Sequence, residues 1–339
     1  MRRVKPLLVA AAVEVLVSSA FAAPTYEVFV APPVAGFDSV FPVALESGVV
    51  IGTAGTDRFD PLGVPVVWNG TDWIVLDAPG SSSFALGVGA ADLVCGTSAN
   101  EPVVWQDGHR VPLPAIEGMP GGFAHDATMS GVIVGSVLND LFGTELPALW
   151  ASPDGPGVLL KIPRNAGVGT ALAINERGEI AGNAGGKPVI WPGVRRPSRA
   201  IPTLSGGSGG ELLDINEAGD AAGRTIFPDG TNEAMLWIAS SRSIVGLGSF
   251  GGGFSIANAL NEARQVVGTS SSPSGGRAFL WEDGQLHDLN ALIAATNEPF
   301  LGLIEAVGID ESGTIAATAL VDTALGQQMR LAILTPLAP

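Results

Sequence analysis

Apolar and polar positions recur along this chain in a twelve-residue window that is repeated seven times. The copies are FPVALESGVVIG (41–52), ALGVGAADLVCG (85–96), AHDATMSGVIVG (124–135), ALAINERGEIAG (171–182), LLDINEAGDAAG (212–223), ANALNEARQVVG (257–268) and AVGIDESGTIAA (306–317). Read without gaps, position four is apolar in every copy (Ala44, Val88, Ala127, Ile174, Ile215, Leu260, Ile309). Position ten is apolar too (Val50, Val94, Ile133, Ile180, Ala221, Val266, Ile315). Between them stand turn formers such as Asn175-Glu-Arg-Gly178 and Asp310-Glu-Ser-Gly313. An Asx side chain caps local amides and Gly supplies positive φ, so each window predicts a β-hairpin.

A third strand follows each hairpin. It ends in Trp68, Trp105, Trp150, Trp191, Trp237 or Trp281, and the seventh copy has RLAIL (330–334) instead. A fourth, shorter apolar run comes next in six copies. Asn69-Gly70, Asp107-Gly108 and Asp283-Gly284 mark tight turns between the third and fourth runs. Four antiparallel strands at a period of roughly 40–50 residues predict an all-β ring, a seven-bladed β-propeller. The last copy lacks a fourth strand, while TYEVFVAP (25–32) resembles the fourth strand of blade one. Residues 26–31 are therefore expected to pair with residues 330–334, which closes the ring and removes open sheet edges. One Trp at the same strand position in each blade predicts burial between neighbouring blades. The small residue ending each window (Gly52, Gly96, Gly135, Gly182, Gly223, Gly268, Ala317) is expected to make room for that indole.

Residues 1–22 read as a secretory signal. Arg2, Arg3 and Lys5 precede an apolar stretch, and Ala20-Phe21-Ala22 offers small residues for cleavage. The stretch is too short to span a bilayer. Residues 23–339 are then one exported domain, secreted or periplasmic, with no transmembrane helix. The formal net charge is −16. It becomes −18 without residues 1–22, because Arg2, Arg3 and Lys5 leave with only Glu14. That balance argues against nucleic acid and anionic membranes and favours solubility, or a cationic partner. The single cysteine, Cys95, excludes an intramolecular disulfide. It takes an apolar window position and reads as core. The chain is expected to be a monomer.

The windows ALAINERGEIAG and RAFLWEDGQLHDL carry a resemblance to the HAF-repeat family of extracellular repeat proteins. The likeness covers about residues 37–334. It is weaker in blades one to three, where Leu45, Gly89 and Thr128 replace the Asn, and Arg277 stands where the family has a leading His. It implies export and a propeller-like fold, and no defined activity.

Chemistry is hard to find. Gly206-Gly-Ser208-Gly-Gly210 and Gly246-Leu-Gly248-Ser-Phe-Gly251 match nucleophile-elbow and dinucleotide strings, but both lie in connectors between blades. His109 and His287 belong to outer strands, and only His125 is placed to reach a central channel. The loops between second and third strands are the expected binding rim. They are long in blades one, three, five and seven, and carry Asp57, Arg58, Asp60, Asn139, Asp140, Glu145, Asp229, Asn232, Glu233 and Asp322. Asp57, Asp60, Asp140, Glu145, Asp229 and Glu233 are the candidate binding residues, for a macromolecule or a glycan. Carboxylates at this density suit Ca²⁺, although no contiguous calcium loop is present; no other cofactor is expected. The rival reading is a hydrolase or lyase that uses paired rim carboxylates.

Overall fold

The computed structural model describes residues 24–57, 60, 62–79, 82–90, 93–139 and 144–337. Residues 1–22 and Asp140 lie outside that set. Seven sheets form the seven blades of a β-propeller. Blade one is β2 (Ser39–Glu46), β3 (Val49–Gly55), β4 (Val64–Trp68) and β5 (Trp73–Val75). Blades two to six are β6–β9 (83–112), β10–β13 (121–159), β14–β17 (169–200), β18–β21 (209–248) and β22–β25 (255–288). Within each blade, strands pair antiparallel in chain order.

Blade seven is larger. It holds β27 (Gly302–Ile309), β28 (Ile315–Thr323) and β29 (Gly326–Pro336). Its fourth strand is β1 (Tyr26–Val30), antiparallel to β29 from Tyr26↔Pro336 to Val30↔Ala332. The expected closure is thus present. A fifth strand, β26 (Ile293–Thr296), lies parallel to β1 on its outer side. A short 3-10 turn (Leu289–Leu292) leads into it, capped by the Asp288 side chain. Sequence reading missed both, because LNALIAAT carries no copy of the repeat.

Trp68, Trp105, Trp150, Trp191 and Trp237 are buried. Each clusters with side chains of the preceding blade, as Trp105 does with Ile51, Val67 and Leu76 of blade one. Three indoles donate to carbonyls of that blade: Trp105 to Asp77, Trp150 to Pro114 at 2.9 Å and Trp191 to Lys161 at 2.8 Å. A buried indole N–H usually finds such a partner, whereas that of Trp237 is buried with none. Trp281 is only half-buried, and packs against the cluster of blades five and six that holds fully buried Phe279. Cys95 is core, as expected.

Two expectations need correction. Blade one does not follow the ungapped window. Its hairpin closes in two residues, Ser47 and Gly48, both at positive φ, and Leu45 rather than Ala44 pairs with Val50. Blade seven has no long loop between its second and third strands. Instead β28 and β29 extend to Thr323↔Gly326, and Asp322 pairs within that ladder opposite Gln327.

The window glycines also have a different cause. None of the six has positive φ. A Cβ on Gly182 would strike the Thr170 carbonyl oxygen, and one on Gly135 the Phe123 carbonyl oxygen, closer than real Cβ atoms approach. The obstacle is first-strand backbone at a bulge, between Ala171 and Ala173 in blade four. Among the nearest neighbours of these positions an indole appears only at Gly96, where Trp105 comes after the Phe84 carbonyl oxygen. In blade seven, β27 has an additional bulge between Leu303 and Glu305, and there the window ends in Ala317. Room for backbone, not for indole, sets the glycine.

Candidate functional site: an acidic channel mouth

The bulge recurs in the first strand of every blade. It skips Val43, Leu86, His125, Leu172, Leu213, Asn258 and Val307 in the pairing register. A bulge re-aims a side chain at the cost of one ladder step. All seven skipped residues line a central cavity of about 710 Å³. The bulged position of each first strand thus forms a belt around the channel, apolar except for His125 and Asn258.

The next residue along the strand makes a second layer. It is Ala or Gly in five blades, but Asp126 in blade three and Asp214 in blade five. Each carboxylate bridges two blades. Asp126 accepts from the Ala127 N–H at 2.8 Å and from Ile174 of blade four at 2.8 Å. Asp214 accepts from Ile215 at 2.7 Å and from Leu260 of blade six at 2.8 Å. Desolvation outweighs those donors. It pushes Asp126 well above the ordinary carboxyl range and Asp214 up to about 6, with neighbouring carboxylates adding to both. Desolvation also holds His125 down, to about 4, so its ring is neutral near pH 7.

The third layer is the mouth, formed by turns between first and second strands. Two side-chain ladders run from blade to blade there. In the first, Asn175 Nδ2 donates to the Asn216 carbonyl at 2.9 Å, Asn216 to Asn261 at 3.2 Å and Asn261 to Asp310 at 3.1 Å. The Oδ1 of each Asn meanwhile accepts an amide of its own turn, from Glu179, Asp220 or Gln265. In the second ladder, the Met129 N–H donates to Glu176 at 2.5 Å, the Glu176 N–H to Glu217 at 2.6 Å, the Glu217 N–H to Glu262 at 2.5 Å and the Glu262 N–H to Glu311 at 3.1 Å. The first ladder spans blades four to seven and the second blades three to seven. Blade one, one residue short, puts Glu46 where blades four to seven have Asn or Asp. Burial raises its pKa most, followed by the charge of Asp214; Glu311 and Glu176 add to the rise.

Eight carboxyl groups therefore line the cavity: Glu46, Asp126, Glu176, Asp214, Glu217, Glu262, Asp310 and Glu311. Among the described lining residues there is no Lys or Arg, and no Phe, Tyr or Trp.

The expected rim residues sit elsewhere. None of the five described ones lines the channel. Asp60 accepts from the Thr56 N–H at 2.7 Å, the Thr56 hydroxyl at 2.8 Å and the Leu62 N–H at 2.9 Å, which lower its pKa. Asp229 likewise holds Thr231 and is lowered. Glu145 accepts from the Ser136 hydroxyl. Glu233 borders a small cleft of about 180 Å³ with Phe227 and Ser249. Asp57 stays at the loop entrance of blade one. Among the described residues no group of three or more His, Cys, Asp or Glu is arranged to hold a metal ion. Nor is any helix among them long and apolar enough to cross a membrane.

No protein-family model matches the chain, and no curated protein matches it. Solved structures share the fold at low identity. The extracellular domain of a protein assigned as a hybrid two component system of B. thetaiotaomicron superposes with a TM-score of 0.57 at 9% identity, covering 92% of this chain. This chain spans 40% of the length of that domain. YCF48 bound to D1 peptide gives 0.55 at 10% identity, covering 94% of this chain and 97% of the other. The β-propeller domain of the Trilobed protease from Pyrococcus furiosus, described as an open velcro topology, gives 0.53 at 10%, covering 89% and 98%. At such identities the likeness establishes the propeller fold.

Proposed function

We propose that this protein is a non-catalytic binding propeller whose acidic channel mouth receives a basic segment of a macromolecular partner. The observation that carries this reading is the cavity lining: eight carboxyl groups with no Lys or Arg among the described residues. A concave surface of one sign focuses its field and raises the local concentration of opposite charge. The residue set suits a peptide of Lys or Arg better than a glycan, because no aromatic side chain offers a sugar a stacking face. A propeller solved with a bound peptide is among the structures it resembles. The signal-like residues 1–22 and the HAF-type windows support an exported protein acting outside the cytoplasm. The carboxylates of the longer loops serve their own loops in this reading, and any Ca²⁺ is secondary to the basic partner.

The test is binding of an oligo-arginine peptide, followed by calorimetry at low and moderate salt. Gln keeps an oxygen acceptor for each ladder N–H while removing the charge. Glu176→Gln, Glu217→Gln, Glu262→Gln and Glu311→Gln together should weaken binding about tenfold or more and flatten its salt dependence. Unchanged affinity in that variant, or equal loss after neutralising Asp57 and Glu233, would refute the mouth as the site.

A further inference from the structure

The outer strands of the blades meet solvent in different ways. In blade seven the outer strand β1 is covered by a fifth strand, β26. In the other blades the fourth strand ends the sheet. Such an edge presents unpaired N–H and C=O groups, and proteins blunt it by shortness, charge or Pro. β5 and β13 have three residues and β17 two. β9 carries Arg110 and Pro112, and β25 carries Asp288. β21 (Ser243–Gly248) departs from this pattern, with six residues, SIVGLG, and neither charge nor Pro. Its inner side pairs with β20, from Ile238↔Ser243 to Ala234↔Gly248. Among the described residues no strand or loop backbone pairs with its outer side.

A side-chain site adjoins this edge. Leu247 is skipped in the register and turns into the core. Beside that bulge lies the cleft of about 180 Å³, lined by Phe227, Asn232, Glu233, Gly248 and Ser249 among others. A Cβ on Gly246 would meet the Glu233 Oε1 before any other atom, so the carboxylate lies directly against the strand, and Gly246 is itself exposed. Asp60, Asp229 and Glu145 are satisfied by neighbouring donors. Glu233 is half-buried, and its carboxylate has neither a hydrogen-bond nor an ion-pair partner among the described residues. None of the residues around this cleft belongs to the channel.

We propose that the outer edge of β21, with the cleft at its end, is a strand-addition site for an extended basic peptide segment of a partner protein. Main-chain hydrogen bonds along the edge give affinity, and Glu233 gives specificity by pairing with one Lys or Arg of the added strand. Three observations select this occupant. An unpaired edge accepts another strand, as β1 accepts β26. A half-buried carboxylate without a donor calls for a cation. The cleft is smaller than the roughly 300–1,000 Å³ of a small-molecule pocket, which fits the end of a single side chain.

The probe is a short fluorescent peptide that alternates Val and Thr about a central Lys, blocked at both ends and added to the full chain. Anisotropy should show saturable binding, and hydrogen exchange should show new protection within residues 243–248. In a strand, alternate N–H groups face opposite sides. Methylating one alternating set of probe nitrogens should therefore abolish binding, while methylating the other set should not. Replacing the Lys by Glu should weaken binding about tenfold or more, and Glu233→Gln should remove that difference. The chain carrying Gln at all four mouth glutamates should bind the probe as the unmodified chain does. No binding, equal effects of the two methylated sets, or a preference for Lys that survives Glu233→Gln would overturn the proposal. Loss of binding in the mouth variant would move the probe to the channel and overturn it as well. Dimers of the free chain with residues 243–248 protected at their interface would make a second copy the occupant and overturn the partner peptide.

Discussion

The two faces of this ring spend their carboxylates in opposite ways. On the face of the longer loops, Asp60 and Asp229 are satisfied by their own neighbours within a few residues, and hydrogen bonds lower their pKa values. On the face of the first turns, carboxyl groups from six blades are pooled around one channel, where burial and mutual repulsion raise Glu46, Asp126 and Asp214. Counting acidic residues along the sequence favours the first face. Placement by the repeat favours the second, because a period of one blade returns the same window position to the same circle.

That contrast can be broken at its root. Gly182→Val would force the Thr170 backbone away and undo the bulge that turns Leu172 into the channel. Chemical denaturation should report a loss of about 3 kcal/mol, the upper end for overpacking, since backbone cannot step aside as a side chain can. Ala317→Val should cost less, because blade seven has the additional bulge. Equal losses would separate the glycines from the bulges.

The next effect in size is acid-dependent binding. Asp214 titrates near pH 6, so the channel loses charge as pH falls through that value, and oligo-arginine affinity should fall with it. Stability runs the other way for this group. A carboxyl whose pKa is raised on folding stabilises the fold below its unfolded value of about 3.8, and that contribution is lost as pH rises toward 6. His125, lowered to about 4, opposes it: its contribution is lost as pH falls from about 6.5 toward 4. Asp214→Asn should therefore remove the pH 6 step in affinity while leaving the His125 limb of the stability curve. A step that survives the substitution would reassign the titration to another channel group.

The smallest effect is expected at the loops. Asp60→Asn and Asp229→Asn should lower the melting temperature slightly and leave peptide affinity unchanged. A loss of affinity at either position would return function to the loop face.

The ring itself was legible in sequence, down to the pairing of residues 26–30 with the last long strand, because hairpin turns, Trp positions and a missing fourth strand are all local patterns. The mouth was less so. Glu176, Glu217, Glu262 and Glu311 occupy one window position, and that alignment was the available signal. Their meaning is inter-blade, since each partner amide lies 41 to 49 residues away. The belt depended on a register shift, which no spacing of apolar residues reveals. Blade one misled because its turn is one residue shorter, so an ungapped reading puts Glu46 out of phase with its counterparts.

That shortened turn also gives the ring an origin. Sevenfold repetition alone would offer an incoming segment seven equivalent orientations. Here the glutamate ladder runs in one direction, from Met129 to Glu311, and stops where blade one begins. A bound segment would meet a clock face with a marked hour. Choosing one of seven orientations costs RT ln 7, about 1 kcal/mol, which a single well-placed contact near Glu46 repays. The stoichiometry expected of the proposed binding would then be one segment per ring, held at a defined angle to the blades.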